Sequence, residues 1–197
     1  MNSPDNIFCD LNRLAGLGKK AIIGKTVRFR KPERVTVGDW SIVDDFTYVS
    51  CGLTVGQYTH IGAGGVLIGG EAHIRIGHFV NIAPGCRLMA ASNDFTGGGL
   101  VGPAIPPEYA DHSIVADIEI ADHVLLGTGT VVLPGVKIPE GVATGAMTLI
   151  TPHTPLKPWT LYVGTPARPL QPRDGTRMLE MAAKLLASNS GIDRQRQ

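Results

Sequence analysis

The chain has 197 residues, a length that suits one domain with a small appendage. Hydrophobic residues make up 43% and charged residues 18%, which excludes an extended disordered chain. The formal net charge of +1, from 18 basic and 17 acidic residues, leaves no nucleic-acid footprint.

Aromatic residues are only 6% of the chain, while Gly contributes 25 residues and Pro 14. That usage fits many tight turns around a core of Val, Ile and Leu. Cys9, Cys51 and Cys86 form no CxxC pair and no disulfide framework, so a reduced, cytoplasmic setting is expected. The stretch from Met1 to Cys9 lacks a basic region followed by an apolar one. No stretch approaches the ~18 apolar residues of a membrane span.

In chain order, a short helix is predicted first. Ile7, Leu11 and Leu14 share one helical face, with Ser3-Pro4-Asp5 as a start signal and Gly16 and Gly18 as a stop. A six-residue period follows. Val37, Val43, Val49, Val55, Ile61 and Leu67 are all aliphatic, and small residues recur four places on, at Ser41, Thr47, Thr59 and Gly65. After a three-residue slip within Gly69 to Arg75, the period resumes at Ile76, Ile82 and Leu88. It is interrupted again, then returns at Ile120, Leu126, Val132 and Ile138, breaks at Thr144 and falls back in phase at Ile150.

Each hexapeptide is one short strand plus a turn, and three of them close a triangular coil. The aliphatic residue points inward and stacks on its equivalents above and below. No single repeat buries its own apolar face, so stacking supplies the core. An antiparallel sandwich would show irregular spacing, which the constant phase across two blocks argues against.

The interruption, Met89 to Glu119, carries Gly97-Gly98-Gly99 and Pro103, Pro106 and Pro107. A loop this long in a regular solenoid is usually functional. Near the C-terminus, Met178, Met181, Ala182 and Leu185 recur at helical spacing, predicting a helix that packs on the prism or on a neighbouring subunit. The expected organisation is a helical segment over 1–20, a β-helix over 21–170 carrying the loop 89–119, and a helix and tail over 171–197.

Three stretches resemble the hexapeptide-repeat acyltransferases, more narrowly the maltose, galactoside and surface-polysaccharide sugar acetyltransferases. They are Ile76-Gly77-His78-Phe79-Val80-Asn81-Ile82-Ala83-Pro84-Gly85, then Leu126 through Val136 with its Pro134-Gly135-Val136 ending, then Gly164-Thr165-Pro166-Ala167-Arg168. The resemblance runs from about Val37 to Leu170. It implies an all-β, left-handed parallel β-helix and a homotrimer with active sites between neighbouring prisms. It implies acetyl-CoA as co-substrate, no metal, and transfer to a hydroxyl or amino group of a sugar or nucleotide-linked sugar in surface-polysaccharide or O-antigen assembly. Gly127, Gly145 and Ala146 are then corners exposing backbone groups to the pantetheine chain. Arg168 holds a CoA phosphate by charge-assisted hydrogen bonds. Where the family often has a Lys after the last repeat, this chain has Thr151-Pro152-His153, with Lys157 a substitute and His153 near the CoA.

The resemblance also implies a general-base His eight residues after Gly85. Asn93 stands there, in Ala91-Ser92-Asn93-Asp94-Phe95. Asn takes no proton at neutral pH, which leaves Asp94 as a base if desolvation raises its pKa. His112, in the long loop, can reach a cleft. Glu71 lies near the family's carboxylate position. His60, His73, His78 and His123 fall near coil turns and read as exposed polar residues. Loss of the His also fits an amine acceptor, because a neutral amine attacks a thioester without prior deprotonation. Two other functions share this prism. A γ-class carbonic anhydrase needs three His zinc ligands, but Ile42 and Ala83 stand where two of them would fall. A non-catalytic scaffold would need neither the closing motif nor the loop.

Overall fold

The structure, a computed structural model, describes residues 9–194 except 103, 107 and 111–113, with side chains described through Ser188. Short parallel strands stack into three faces of a prism. Strands of the first face begin at Gly16, Val35, Gly52, His73, Ile118 and Lys137. Those of the second begin at Ile22, Ile42, His60, Asn81, Leu125, Ala143 and Thr160, and those of the third at Arg28, Tyr48, Val66, Arg87, Val131 and Leu149. Each coil visits the three faces in that order.

The six-residue period is the inward column of these faces. Val43, Ile61, Ile82 and Leu126 stack on the second face, and Val49, Leu67, Leu88, Val132 and Ile150 on the third; all are fully buried. Each such side chain contributes about 1.5–3 kcal/mol relative to exposure. Thr144, where the period breaks, faces inward too. Its Oγ1 accepts the Gly127 N–H at 3.0 Å and lies 2.8 Å from Thr130 Oγ1, so the hydroxyl is buried with partners. The recurring small residues sit inside the corners. Ser41 Oγ donates to the Gly56 carbonyl (2.7 Å) and accepts the Thr59 N–H (2.9 Å), tying one coil to the next.

Two expectations need correction. Ser3-Pro4-Asp5 and Ile7 lie outside the described residues, and the helical reading beyond them holds only for a single 3-10 turn, Leu11–Arg13. Gly16–Leu17 is already a strand, paired in parallel with Thr36 and Val37, so one full coil precedes the first period residue read from the sequence. Gly16 stops nothing: a Cβ there would lie 3.0 Å from the Thr36 methyl, which favours the smallest residue in the stack. The slip at Gly69 to Arg75 is a widened corner. Lys31 and Arg34 grip it through Glu71 and through the carbonyls of Gly70 and Glu71.

The closing motif makes the last turn. Gly164 through Ala167 connect Thr160–Val163 to Arg168–Pro172, which runs back antiparallel and covers the edge of the second face. The helix Thr176–Arg194 follows. Arg173, bonded to the prism, reaches Met178 Sδ in the helix's first turn, while Leu179, Met181, Leu185 and Leu186 are each more than 40% exposed, so the prism leaves most of the helix's apolar residues uncovered.

Candidate functional site

The loop leaves the prism at the corner between the third and first faces, after Arg87–Met89. Its two legs are joined at the root, where Ala91–Ser92 pairs antiparallel with Ile114–Val115. The returning leg is fastened by Asp117. Its carboxylate accepts the His73 N–H (2.8 Å) and bonds Arg75 Nη1 (2.7 Å). These bonds, led by that of Arg75, hold the Asp117 carboxyl below its ordinary range.

Asn93 and Asp94 follow the root strand directly. Asn93 is exposed and Asp94 half-buried. The Asp94 carboxylate accepts the Thr96 N–H (2.7 Å) and the Thr96 hydroxyl (2.6 Å), which fixes its orientation. Adjacent residues in a turn can point apart, yet both stay at the foot of the loop, next to its root strand Ala91–Ser92. His112 lies outside the described residues. Glu71 sits one coil from the loop root on the same corner, already bound to Lys31 and Arg34.

A groove of about 390 Å³ opens at the C-terminal end of the prism, past the last strand of the third face, Leu149–Ile150. Thr151, His153, Thr154, Ala167 and Arg168 line it. Two residues singled out from the sequence, His153 and Arg168, therefore meet across one groove. Arg168 is exposed there, with its head available to an anion. Lys157 is not among the lining residues; its backbone N–H donates to the Tyr162 hydroxyl.

Gly127, Gly145 and Ala146 lie at the other border of the third face. The two glycines do not present free backbone groups. The Gly127 N–H goes to Thr144 and its carbonyl receives the Thr130 N–H, while the Gly145 N–H goes to Tyr162. Their lack of a side chain serves close stacking: a Cβ on Gly127 would lie 2.6 Å from the Gly145 carbonyl carbon. Ala146, at the corner tip, is exposed.

The histidines divide. His60 bridges Asp44 (2.7 Å) and Asn81 (3.1 Å) on the second face. His73 meets Thr54 (2.8 Å), and His78 Nδ1 accepts the Gln57 N–H. His123 departs from the expected exposed position: it is 7% exposed and stacked between Phe79 and Trp159. It belongs to a column, Trp40, Tyr58, Phe79, His123 and Trp159, that climbs the corner between the first and second faces with ring centroids 5.2–6.2 Å apart. All five residues have φ between 49° and 63°. Left-handed backbone costs such residues about 1–2 kcal/mol each, and stacking returns about 0.5–1.5 kcal/mol per pair. Lys20 covers one end, 3.9 Å above Trp40. Arg173 closes the other, bonded to the carbonyls of His123 and Gly141. The sequence signal for this column was a bulky ring at the same corner of successive coils, at a spacing broken by the loop and by Gly141, over which the Trp159 indole leans.

No family profile matches the chain. Among curated proteins it is 27% identical to the dTDP-4-amino-4,6-dideoxy-D-glucose acyltransferase of Escherichia coli, over 89% of this chain and 90% of that one. Among solved structures it resembles AntD, an N-acyltransferase from Bacillus cereus in complex with dTDP and 3-hydroxybutyryl-CoA, at TM-score 0.84 and 33% identity, over 91% of this chain and 93% of AntD. A maltose O-acetyltransferase from Clostridium difficile shares the fold at TM-score 0.56 and 19% identity, over 83% and 73% of the two chains. Prism, inserted loop and closing motif thus come together with one-third identity over nine-tenths of both chains, and the chain belongs to the hexapeptide-repeat acyltransferases.

Proposed function

We propose that this acyltransferase moves the acyl group of an acyl-CoA to the amino group of a nucleotide-linked amino sugar, in the assembly of surface polysaccharide. The observation that carries this reading is the foot of the loop: Asn93 stands where a general-base His would be, beside an oriented carboxylate. An alcohol needs a strong base to attack a thioester; an amine needs only to shed an ammonium proton. In this reading Asp94 pairs with the ammonium and holds it in place, the amine sheds its proton to water, and Asn93 orients the acceptor through its amide. The neutral nitrogen attacks the thioester carbonyl, the C–N bond forms and the C–S bond breaks. The CoA thiolate leaves and takes up the proton that the acylated nitrogen sheds.

The acyl-CoA runs from the loop toward the C-terminal groove, with Arg168 on a phosphate, His153 beside it and Ala146 against the pantetheine. Both named nucleotide-sugar and N-acyl relatives support an amine acceptor. Three copies form the working unit in this reading. Phe95, Leu100, Tyr109 and Ile114 on the loop are each 58–89% exposed, and a neighbouring prism would cover them. The three cysteines, all unpaired, suit a reducing cytoplasm.

The test is a thiol-release screen with acetyl-CoA and 3-hydroxybutyryl-CoA against dTDP-4-amino-4,6-dideoxyglucose and maltose. Turnover with the amine alone is expected. Turnover with maltose and none with the amine would overturn the reading.

A further inference from the structure

The edge of the prism that carries the loop has a second, basic part. Arg28, Arg30, Lys31 and Arg34 fall within seven residues of the first two coils, in a chain whose net charge is only +1. Lys31 and Arg34 lie on the corner from which the loop leaves three coils later. Their side chains are 29% and 32% exposed and reach along the edge to Glu71 on the third coil. The intervening corner, Ser50-Cys51, is too short to block them. Their charged heads therefore stand one coil, about 4.8 Å, from the level at which the loop carrying Asp94 leaves the prism. A single pyranose ring spans a comparable length from its anomeric oxygen to its 4-substituent.

Glu71 is the one carboxylate bound to both cations, and its side chain is 82% exposed. One positive charge is thus left over at the pair. Arg28 and Arg30 pair with no carboxylate among the described residues, and Arg30 Nη1 reaches the Tyr48 hydroxyl at 3.5 Å. The opposite, C-terminal end of the prism carries the groove of Arg168 and His153. The loop root lies between the two levels, so two anionic substrates approach from opposite ends.

We infer that Arg30, Lys31 and Arg34 hold the diphosphate of the nucleotide-linked acceptor, with Tyr48 beside it, and so set the enzyme's demand for a nucleotide-activated sugar. This rests on the function proposed above. The cations bind the phosphate oxygens by charge-assisted hydrogen bonds, and the sugar then points along the edge to place its amine at Asp94. CoA also carries a diphosphate, but the groove at the far end accommodates it.

Calorimetric titration of the full-length protein with dTDP and, separately, with CoA tests the assignment. Arg30→Ala and Arg34→Gln should each weaken dTDP about ten- to hundredfold while CoA affinity stays within about twofold. KM for the amino-sugar nucleotide should rise with kcat nearly unchanged, and Arg30→Lys should recover part of the loss. Arg34 also grips the Glu71 corner, so Arg34→Gln is scored only if it melts like wild type. Among the described residues the Arg30 side chain makes only its long bond to Tyr48, so it keeps the test open. Wild type binding dTDP with Arg30→Ala equal to it would overturn the inference and leave the proposed function standing. Loss of CoA rather than dTDP would reverse the polarity of the edge and overturn it as well. Wild type that binds neither dTDP nor any amino-sugar nucleotide would sink both.

Discussion

Trp159 lies between two glycines. A Cβ on Gly141 would come 2.3 Å from its indole and one on Gly175 2.1 Å, and Gly141 also has φ +68°. Gly141→Ala should therefore cost about 1–3 kcal/mol and lower Tm by about 2–4 °C per kcal/mol in a thermal melt. A melt like that of wild type would mean the indole swings aside freely. Asp94 carries the chemical prediction at this scale. With an amine acceptor, Asp94→Asn should raise KM more than it lowers kcat, by steady-state kinetics near neutral pH. A fall in kcat of about 10²–10⁴ with KM unchanged would instead mark Asp94 as a general base for an alcohol. Single residues were unevenly legible in the sequence. The inward aliphatics followed from period alone. Thr144 read as a break because hydropathy does not register a hydroxyl whose partners sit in the next coils. His123 read as exposed because its stacking partners are 44 residues before it and 36 after.

Among the elements, the inserted loop depends on its root. Asp117 draws the returning leg onto the first face, and its carboxyl is held low mainly by Arg75. The folded value lies below the unfolded one, so this fastening is complete above the ordinary carboxylate pKa of about 3.9 and fails as pH falls through the lower folded value. Acidification from pH 7 to 5 should leave the loop in place. Asp117→Asn should hasten limited proteolysis within the loop at neutral pH while the prism loses only about 0–1 kcal/mol, the usual worth of an exposed pair. Equal cleavage rates in both proteins would show that the root strands alone suffice. The loop's existence was legible as an interruption of period, and its strand pairing was not, because Ala91–Ser92 and Ile114–Val115 are two residues each. The N-terminal boundary was misread for a related reason: Gly16 and Gly18 serve equally as helix stops and as close-packed coil residues.

At the scale of the molecule, the period specified a triangular solenoid, and the structure adds the differing character of its faces. The first face is polar outward, with Thr36, Thr54, Arg75, Glu119 and Lys137. The second is apolar at both ends, where Ile22, Leu125 and Leu161 face out. That asymmetry, the exposed apolar residues of the helix and the exposed loop support the proposed trimer. Light scattering should give about three times 20.9 kDa, and a monomer at micromolar concentration would contradict the trimer. The helix was legible from its spacing, but not the exposure of Leu179, Met181, Leu185 and Leu186, since hydrophobic spacing names a face without naming what covers it.

The stacked column at the corner between the first and second faces has a spectroscopic consequence. The two tryptophans of the chain, Trp40 and Trp159, occupy its opposite ends, on the second and the last coil. Five coil spacings of about 4.8 Å separate them, roughly 24 Å. Solenoids lose order coil by coil, because each coil contacts only its neighbours. Trp40→Phe and Trp159→Phe would thus each leave one emitter, reporting on one end. If fraying begins at the C-terminal end, where the indole is held by two glycines and Arg173, the Trp159 emission should shift to the red at lower denaturant than that of Trp40. Coincident transitions would mean that the column melts as one unit, its rings coupling the coils along the whole length of the prism.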